Sequence, residues 1–276
     1  MGITHVMRGM EYLSSTPKYN LMYDCFGWER PKYIHLSPIM KDAQHKLSKR
    51  YGDANFEDFI EKGFLPEAIV NYIALLGWSP KGNEEKLTMQ QLIEMFDVDG
   101  ISHSQAIFDE TKMKWLNGLY IKELPFEKFC ELAKPYYEKS AIKGKYDYDK
   151  FSKLLQSRIE IFSEIPDKVA FIDEFNGVDP ELYFHKKMKT DFNMAKELIP
   201  VAIDVISSID DFTEENIYNA FSAKSEEMGI KKGQILFILR AAVTGVQSTP
   251  GGAVEMCDIL GKEESLRRLN IALSLL

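Results

Sequence analysis

A chain of 276 residues with 45% hydrophobic and 28% charged residues is large enough for one sizeable domain or two to three small ones. No apolar run reaches the roughly 18–20 residues that cross a bilayer, and the start "MGITHVMRGMEY" has neither the charged opening nor the apolar centre of a signal peptide, so a cytoplasmic protein without a membrane partner is expected. The net charge of −8 is unevenly spread: residues 1–50 carry eight basic against four acidic side chains, which favours a polyanion such as a nucleotide at that end and restricts nucleic-acid contacts elsewhere to local basic patches.

In chain order, "GITHVMRG" (2–9) is short and β-branched and reads as a buried strand. "SSTPKYNLMYDCFGW" (14–28) reads as a helix with Ser15 or Thr16 as N-cap, Pro17 at its first position and Gly27 as its stop. "KYIHLSPIM" (32–40) is a second strand. Strand, helix and strand make one unit of a parallel α/β sheet, and the basic run "HKLSKRYG" (45–52) follows in a loop.

From about residue 54 the pattern is helical. In "LPEAIVNYIALLGW", Pro66 opens a helix, Ile69, Tyr72, Ile73 and Leu76 form its apolar face, and Gly77 closes it. "KLTMQQLIEMF", "DETKMKWLNGLYIKEL" and "PFEKFCELAKPYYEKS" repeat that grammar, with Trp115 and Asn117 expected to be structural and the tryptophan in the core. The polar stretch "AIKGKYDYDK" (141–150) is the expected domain joint. Beyond it, "DKFSKLLQSRIEIFSEI", "DFNMAKELIPVAIDVISSI", "TEENIYNAFSAKSEEMG", "KGQILFILRAAVTG" and "GAVEMCDILGKEESLRRLNIALSLL" form a helical bundle. In the last of these, Glu263 and Glu264 stand four residues ahead of Arg267 and Arg268, the favourable order for surface ion pairs.

Cys25, Cys130 and Cys257 are odd in number and far apart, and the five histidines show no ligand spacing, so neither a disulfide framework nor a bound metal is expected and the thiols read as reduced and buried. The residues that carry chemistry lie in "KLSKR". A loop there presents Lys46 and Lys49 to phosphate oxygens with Ser48 able to hydrogen-bond one of them, because lysine is a strong point charge on a flexible stem. Taken alone, such a string is more commonly a solvated loop.

"ITHVMRGMEYLSSTPK" followed by "HKLSKRYGD" closely resembles the glutamyl-tRNA synthetases, class I aminoacyl-tRNA synthetases in which "KLSKR" corresponds to the KMSKS signature. The resemblance continues through "GFLPEAIVNYIALLGWSP", "FDETKMKWLNGLYI", "AAVTGVQSTPGG" and "ILGKEESLRRL", and so covers essentially the whole chain. It implies a mainly α protein: a small α/β remnant of a class I Rossmann-type catalytic domain (1–53), a helical stem-contact domain (54–140) and a helical anticodon-binding domain (141–276). The all-helical tail sets it with the glutamyl branch, since glutaminyl relatives end in β-barrels.

By the same resemblance, Lys46 and Lys49 contact the phosphates of ATP as catalytic groups while Ser48 assists, Arg8 pairs with the carboxylate of the glutamate substrate, Tyr12 and Ile39 line the adenine site, and Arg158 meets the anticodon. The implied substrates are ATP, with Mg, L-glutamate and tRNA(Glu). No tightly bound cofactor and no DNA partner are implied, and the expected state is a monomer. No HIGH-like string appears, so the chain is expected to be the C-terminal part of such an enzyme, with "GITHVMRG" and "YIHLSPIM" lacking neighbours to pair with. Residues 1–50 are then expected to be partly disordered or rearranged, and the chain alone not to activate glutamate. The alternatives are a catalytically silent RNA-binding or regulatory relative, and a helical scaffold that binds protein.

Overall fold

The computed structural model describes residues 2–47, 55–173, 175 and 177–276. They fold as a mainly helical protein, with thirteen α-helices and four short strands among the described residues. Packing divides the chain into two compact units, Met1–Glu123 and Leu124–Leu276. No helix among the described residues is long and apolar enough to cross a membrane.

The first unit opens with the expected strand–helix–strand: β1 (His5–Gly9), a 3-10 turn (Met10–Ser15), α1 (Thr16–Phe26) and β2 (Lys32–Leu36). Pro17 lies in the first turn of α1, where its missing N–H costs nothing. Gly27, at φ 65°, closes the helix in the left-handed conformation, and its N–H bonds the Asp24 carbonyl at 3.1 Å. The strands expected to lack neighbours pair with each other: the α1 crossover returns the chain parallel, in register from His5 beside Lys32 to Gly9 beside Leu36.

"KYIHLSPIM" is not one strand. The segment breaks at Ser37–Pro38, where proline has no N–H for the ladder, and resumes as β3 (Ile39–Met40), which pairs in parallel with β4 (Ala106–Ile107) in a second small sheet.

The helices of this unit are α2 (Phe56–Glu61), α3 (Pro66–Gly77), α4 (Met89–Met95) and α5 (Glu110–Glu123). Thr88 and Gln91 form a capping box on α4. Two fully buried asparagines tie the loops to the helices. Asn117 on α5 accepts from the Leu65 N–H at 2.8 Å, at the entry to α3; Asn71 on α3 accepts from the Leu87 N–H at 2.7 Å and from the Tyr120 hydroxyl at 2.8 Å. Asn117 is therefore structural, as expected. Trp115 is not in the core: α5 buries Met113, Leu116, Asn117, Gly118 and Ile121, and the turn between them leaves Trp115 43% exposed. Ile73 is likewise 53% exposed, because α3 turns Ala68, Ile69, Asn71 and Tyr72 inward.

The second unit holds α6 (Phe126–Tyr137), α7 (Tyr148–Leu155), α8 (Ile165–Val169), α9 (Phe192–Ser208), α10 (Glu214–Glu227), α11 (Lys232–Thr244), α12 (Ala253–Leu260) and α13 (Lys262–Ser274). Its core includes Ile199 and Ile206 of α9, Ile238 and Leu239 of α11 and Leu269 of α13, all fully buried. Residues 141–147, the expected joint, run as turns in this unit with Ile142 fully buried, and Asp147 caps α7.

Two expectations are corrected here. Cys257 is buried, but Cys130 is half-buried and Cys25 is exposed, because α1 has no buried residue. The Glu264–Arg268 pair is not a surface pair: Arg268 is buried, because it shares the inward face of α13 with Ser265, Leu269 and Ala272.

Candidate functional site

The parallel register sets Arg8 beside His35, and strand alternation puts Tyr33 on the same face of β2. The half-buried Arg8 donates from Nη2 to Thr16 Oγ1 at 2.7 Å and from Nε to His35 Nε2 at 3.4 Å. Its guanidinium carbon lies 5.2, 5.3 and 5.5 Å from the ring centres of Tyr33, Tyr12 and Tyr19. Those distances fall within cation–π range. Arg8 makes no ion pair with a carboxylate among the described residues, so its charge is set among rings and neutral polar groups rather than neutralised. Its hydrogen bonds go to side chains and not to backbone carbonyls. Tyr12, in the 3-10 turn, is 47% exposed, and Ile39 is half-buried in β3.

β3 also positions the basic string. The Leu47 N–H bonds the Ile39 carbonyl at 3.0 Å, the Lys41 N–H bonds the His45 carbonyl at 2.8 Å, and Met40 and Lys46 form an antiparallel bridge. Asp42 closes this hairpin, with Oδ1 accepting from the Gln44 and His45 N–H groups at 2.8 and 2.9 Å. Those bonds, the Gln44 one foremost, hold its carboxyl below the usual aspartate value. Lys46 therefore leaves an anchored hairpin with its side chain exposed. Ser48 and Lys49 lie outside the described residues. Asp42 was missed in the sequence; an aspartate two and three residues ahead of the N–H groups it caps is the signal that could have found it.

Arg158 lies in the turn after α7 and not on a helix. Its N–H bonds the Leu155 carbonyl at 2.8 Å and its Nη1 donates to the Leu154 carbonyl at 2.6 Å. It lines a cavity of about 500 Å³ with Asp167, Lys168, Phe171, Thr249 and Pro250. Thr249 extends the site, because Arg240 on α11 donates from Nη1 to Thr249 Oγ1 at 3.4 Å and to the Gln247 carbonyl at 3.0 Å. Its guanidinium carbon lies 5.4 Å from the Phe237 ring centre, and burial pushes its pKa down. The segment reaches this position by leaving α11 through Gly245, at φ 67°, where an added Cβ would meet the Gly177 carbonyl at 2.9 Å. Lys168, Arg240 and Thr249 were missed in the sequence, although "AAVTGVQSTPGG" marks the turn that carries Thr249. Only the fold brings 158, 168 and 249 to one cavity.

Residues 1–115 match the family described as tRNA synthetases class I (E and Q), catalytic domain, and residues 128–273 match the family described as anticodon binding domain. The chain is 48% identical over 273 residues to a glutamate–tRNA ligase of Clostridium acetobutylicum and 51% identical to that of Clostridium tetani, covering 99% of this chain and 56% of each relative. Among solved structures, a glutamate–tRNA synthetase from Elizabethkingia anophelis aligns with a TM-score of 0.84 at 29% identity. A glutamate tRNA ligase from Elizabethkingia meningosepticum, in complex with its amino acid, aligns at 0.83 and 28%. Both cover 99% of this chain and 57% of theirs, so the chain spans just over half the length of the relatives it matches.

Proposed function

Because the chain belongs to the glutamyl-tRNA synthetase family, we propose that its second unit binds tRNA(Glu) by the anticodon. Its first unit then supplies part of the site where ATP activates glutamate before transfer to the tRNA. The observation that carries this is the cavity of Arg158, Lys168 and Thr249, joined by hydrogen bonding to Arg240, inside the region that matches the anticodon-binding family. On a chain of net charge −8, arginines and a lysine beside an aromatic ring form the kind of local patch that an unstacked base requires. In this reading Arg158 and Arg240 meet anticodon bases, and residues 54–140 contact the tRNA stem.

In the first unit, Lys46 and Lys49 stabilise phosphate charge as glutamate attacks the α-phosphate of Mg-bound ATP, and Ser48 hydrogen-bonds a phosphate oxygen. Tyr12 and Ile39 line the adenine site, and Arg8 holds the glutamate carboxylate through its planar fork. The protein acts as a cytoplasmic monomer. Taken by itself, the 276-residue polypeptide does not activate glutamate in this reading, since it spans just over half the length of the ligases it matches.

The test is titration of the purified chain with tRNA(Glu), and with the same tRNA changed at the third anticodon base, at two salt concentrations, with glutamate-dependent ATP–pyrophosphate exchange measured alongside. Cognate tRNA is expected to bind more tightly and to weaken with salt. Arg158→Ala is expected to remove about 1–3 kcal/mol of the preference for the cognate base. Equal binding of both tRNAs by the wild-type chain would overturn the anticodon reading; robust exchange would overturn the inactivity of the isolated chain.

A further inference from the structure

We propose that Thr16 is a positioning residue for Arg8, one that fixes which edge of the guanidinium is offered to an incoming carboxylate; this rests on the reading of Arg8 as the group that binds the glutamate carboxylate. A guanidinium holds five N–H donors in one plane and can clasp a carboxylate along its side edge, Nε with Nη2, or along its end, Nη1 with Nη2. In this protein the side edge is occupied: Nε donates to His35 Nε2 at 3.4 Å and Nη2 to Thr16 Oγ1 at 2.7 Å. Nη1 bonds nothing among the described residues. The end of the fork is therefore the edge left for a ligand.

The threonine is itself oriented. Thr16 Oγ1 donates to the Tyr12 carbonyl at 3.0 Å, which can only accept, and stands farther, at 3.3 Å, from His35 Nε2; with the proton on the nearer carbonyl, the lone pairs are turned to Arg8. Thr16 is also the first residue of α1, so the hydroxyl is held by a helix start that Pro17 stiffens. Tyr12, Tyr19 and Tyr33 stand around the cation, and the Thr16 bond resists its rotation among them. Losing that bond costs a ligand its preorganised fork, which must then be ordered at the moment of binding.

The experiment uses the 276-residue chain labelled with ¹⁵N-arginine, with the Arg8 side-chain signals assigned by their loss in Arg8→Lys. In the wild type and in Thr16→Ser, which keeps the hydroxyl, restricted rotation is expected to give separate Nη resonances for Arg8. In Thr16→Val these are expected to average, and L-glutamate is expected to bind about tenfold more weakly than to Thr16→Ser. Thr16→Ala, which suits a helix start and also lacks the oxygen, must behave as the valine variant does, so that a local folding defect is not mistaken for the effect. Averaged Nη resonances in the wild type, or separate ones in Thr16→Val and Thr16→Ala, would overturn the proposal. If no form binds L-glutamate, the carboxylate role of Arg8 fails instead, and the resonances still decide whether Thr16 orients it.

Discussion

Replacing Arg268 by methionine is expected to lower the stability of the second unit by about 2–6 kcal/mol, chiefly the cost of stranding two buried carbonyls that its guanidinium now satisfies. The side chain is 1% exposed and is spent in three directions: Nε donates to Glu264 Oε1 at 2.7 Å, Nη1 to the Val243 carbonyl at 3.1 Å and Nη2 to the Ile172 carbonyl at 2.5 Å. Val243 lies in the last turn of α11, where helix carbonyls have no partner within the helix. Arg268 thus ties α13 to the end of α11 and to the 3-10 turn at Ala170–Ile172, with its guanidinium carbon 4.8 Å from the Phe175 ring centre.

Methionine approximates the volume but returns none of these bonds, leaving two buried carbonyls unpaired. Arg268→Lys keeps the charge and loses the fork, so an intermediate loss is expected. Urea unfolding of the three proteins, read as the shift in midpoint at unchanged slope, measures the effect. A methionine variant within 1 kcal/mol of the wild type would mean that the arginine is not what joins these elements.

The contrast between Arg267 and Arg268 shows what the sequence carries and what it withholds. The Glu–Arg spacing announces a helical ion pair but not its burial. The apolar spacing of α13 did hold that information, because 265, 268, 269 and 272 follow the rhythm of an inward face, and a charged residue on it was read as a surface one. Local punctuation was legible: Pro17, Gly27 and Pro66 each mark a helix end where the structure has one, and α3 runs to Gly77, the residue expected to close it. Trp115 and Ile73 were misplaced because a helix packed on one side exposes apolar residues that lie outside its contact stripe.

"DKFSKLLQSRIEIFSEI" was read as one helical segment through Arg158, yet the helix ends at Leu155 and the chain turns there, with Ile159, Ile161 and Phe162 still buried beyond the turn. The site around Arg8 depends on pairings that no local pattern specifies: His35 and Tyr33 reach it by strand register, and Thr16 through the α1 crossover. The cavity at Arg158 joins residues ninety positions apart in the chain and is visible only after folding.

Glu264 carries the other large effect, and its sign follows from the direction of its shift. Hydrogen bonds from Arg267, opposed by partial burial and reinforced by the bond and charge of Arg268, hold its carboxyl at about 2, against an ordinary value of 4.5. A carboxyl depressed in the folded state contributes stability that is fully present above the unfolded value and is lost as pH falls through the folded one. The window is therefore from about pH 4.5 down to about 2, and a gap of that width corresponds to about 3 kcal/mol. With its side chain 26% exposed, Glu264 keeps enough contact with water for screening to trim that figure but not to reverse it.

Glu264→Gln removes the titration and the charge while keeping the shape. The stability difference between wild type and variant is expected to be constant from pH 7 to about 5 and to shrink steadily toward pH 2. Asp24, Asp42 and Asp97 are also depressed, but they lie in the first unit and are present in both proteins, so they cancel in the difference. A difference that stays flat from pH 5 to 2 would show that the two arginines do not hold the charged form of Glu264. Were the difference to shrink with falling pH in the wild-type background but stay flat in Arg267→Ala, the exposed arginine, which gives Glu264 two hydrogen bonds to the one from Arg268, would be the one that sets the shift, while Arg268 serves mainly to join the helices.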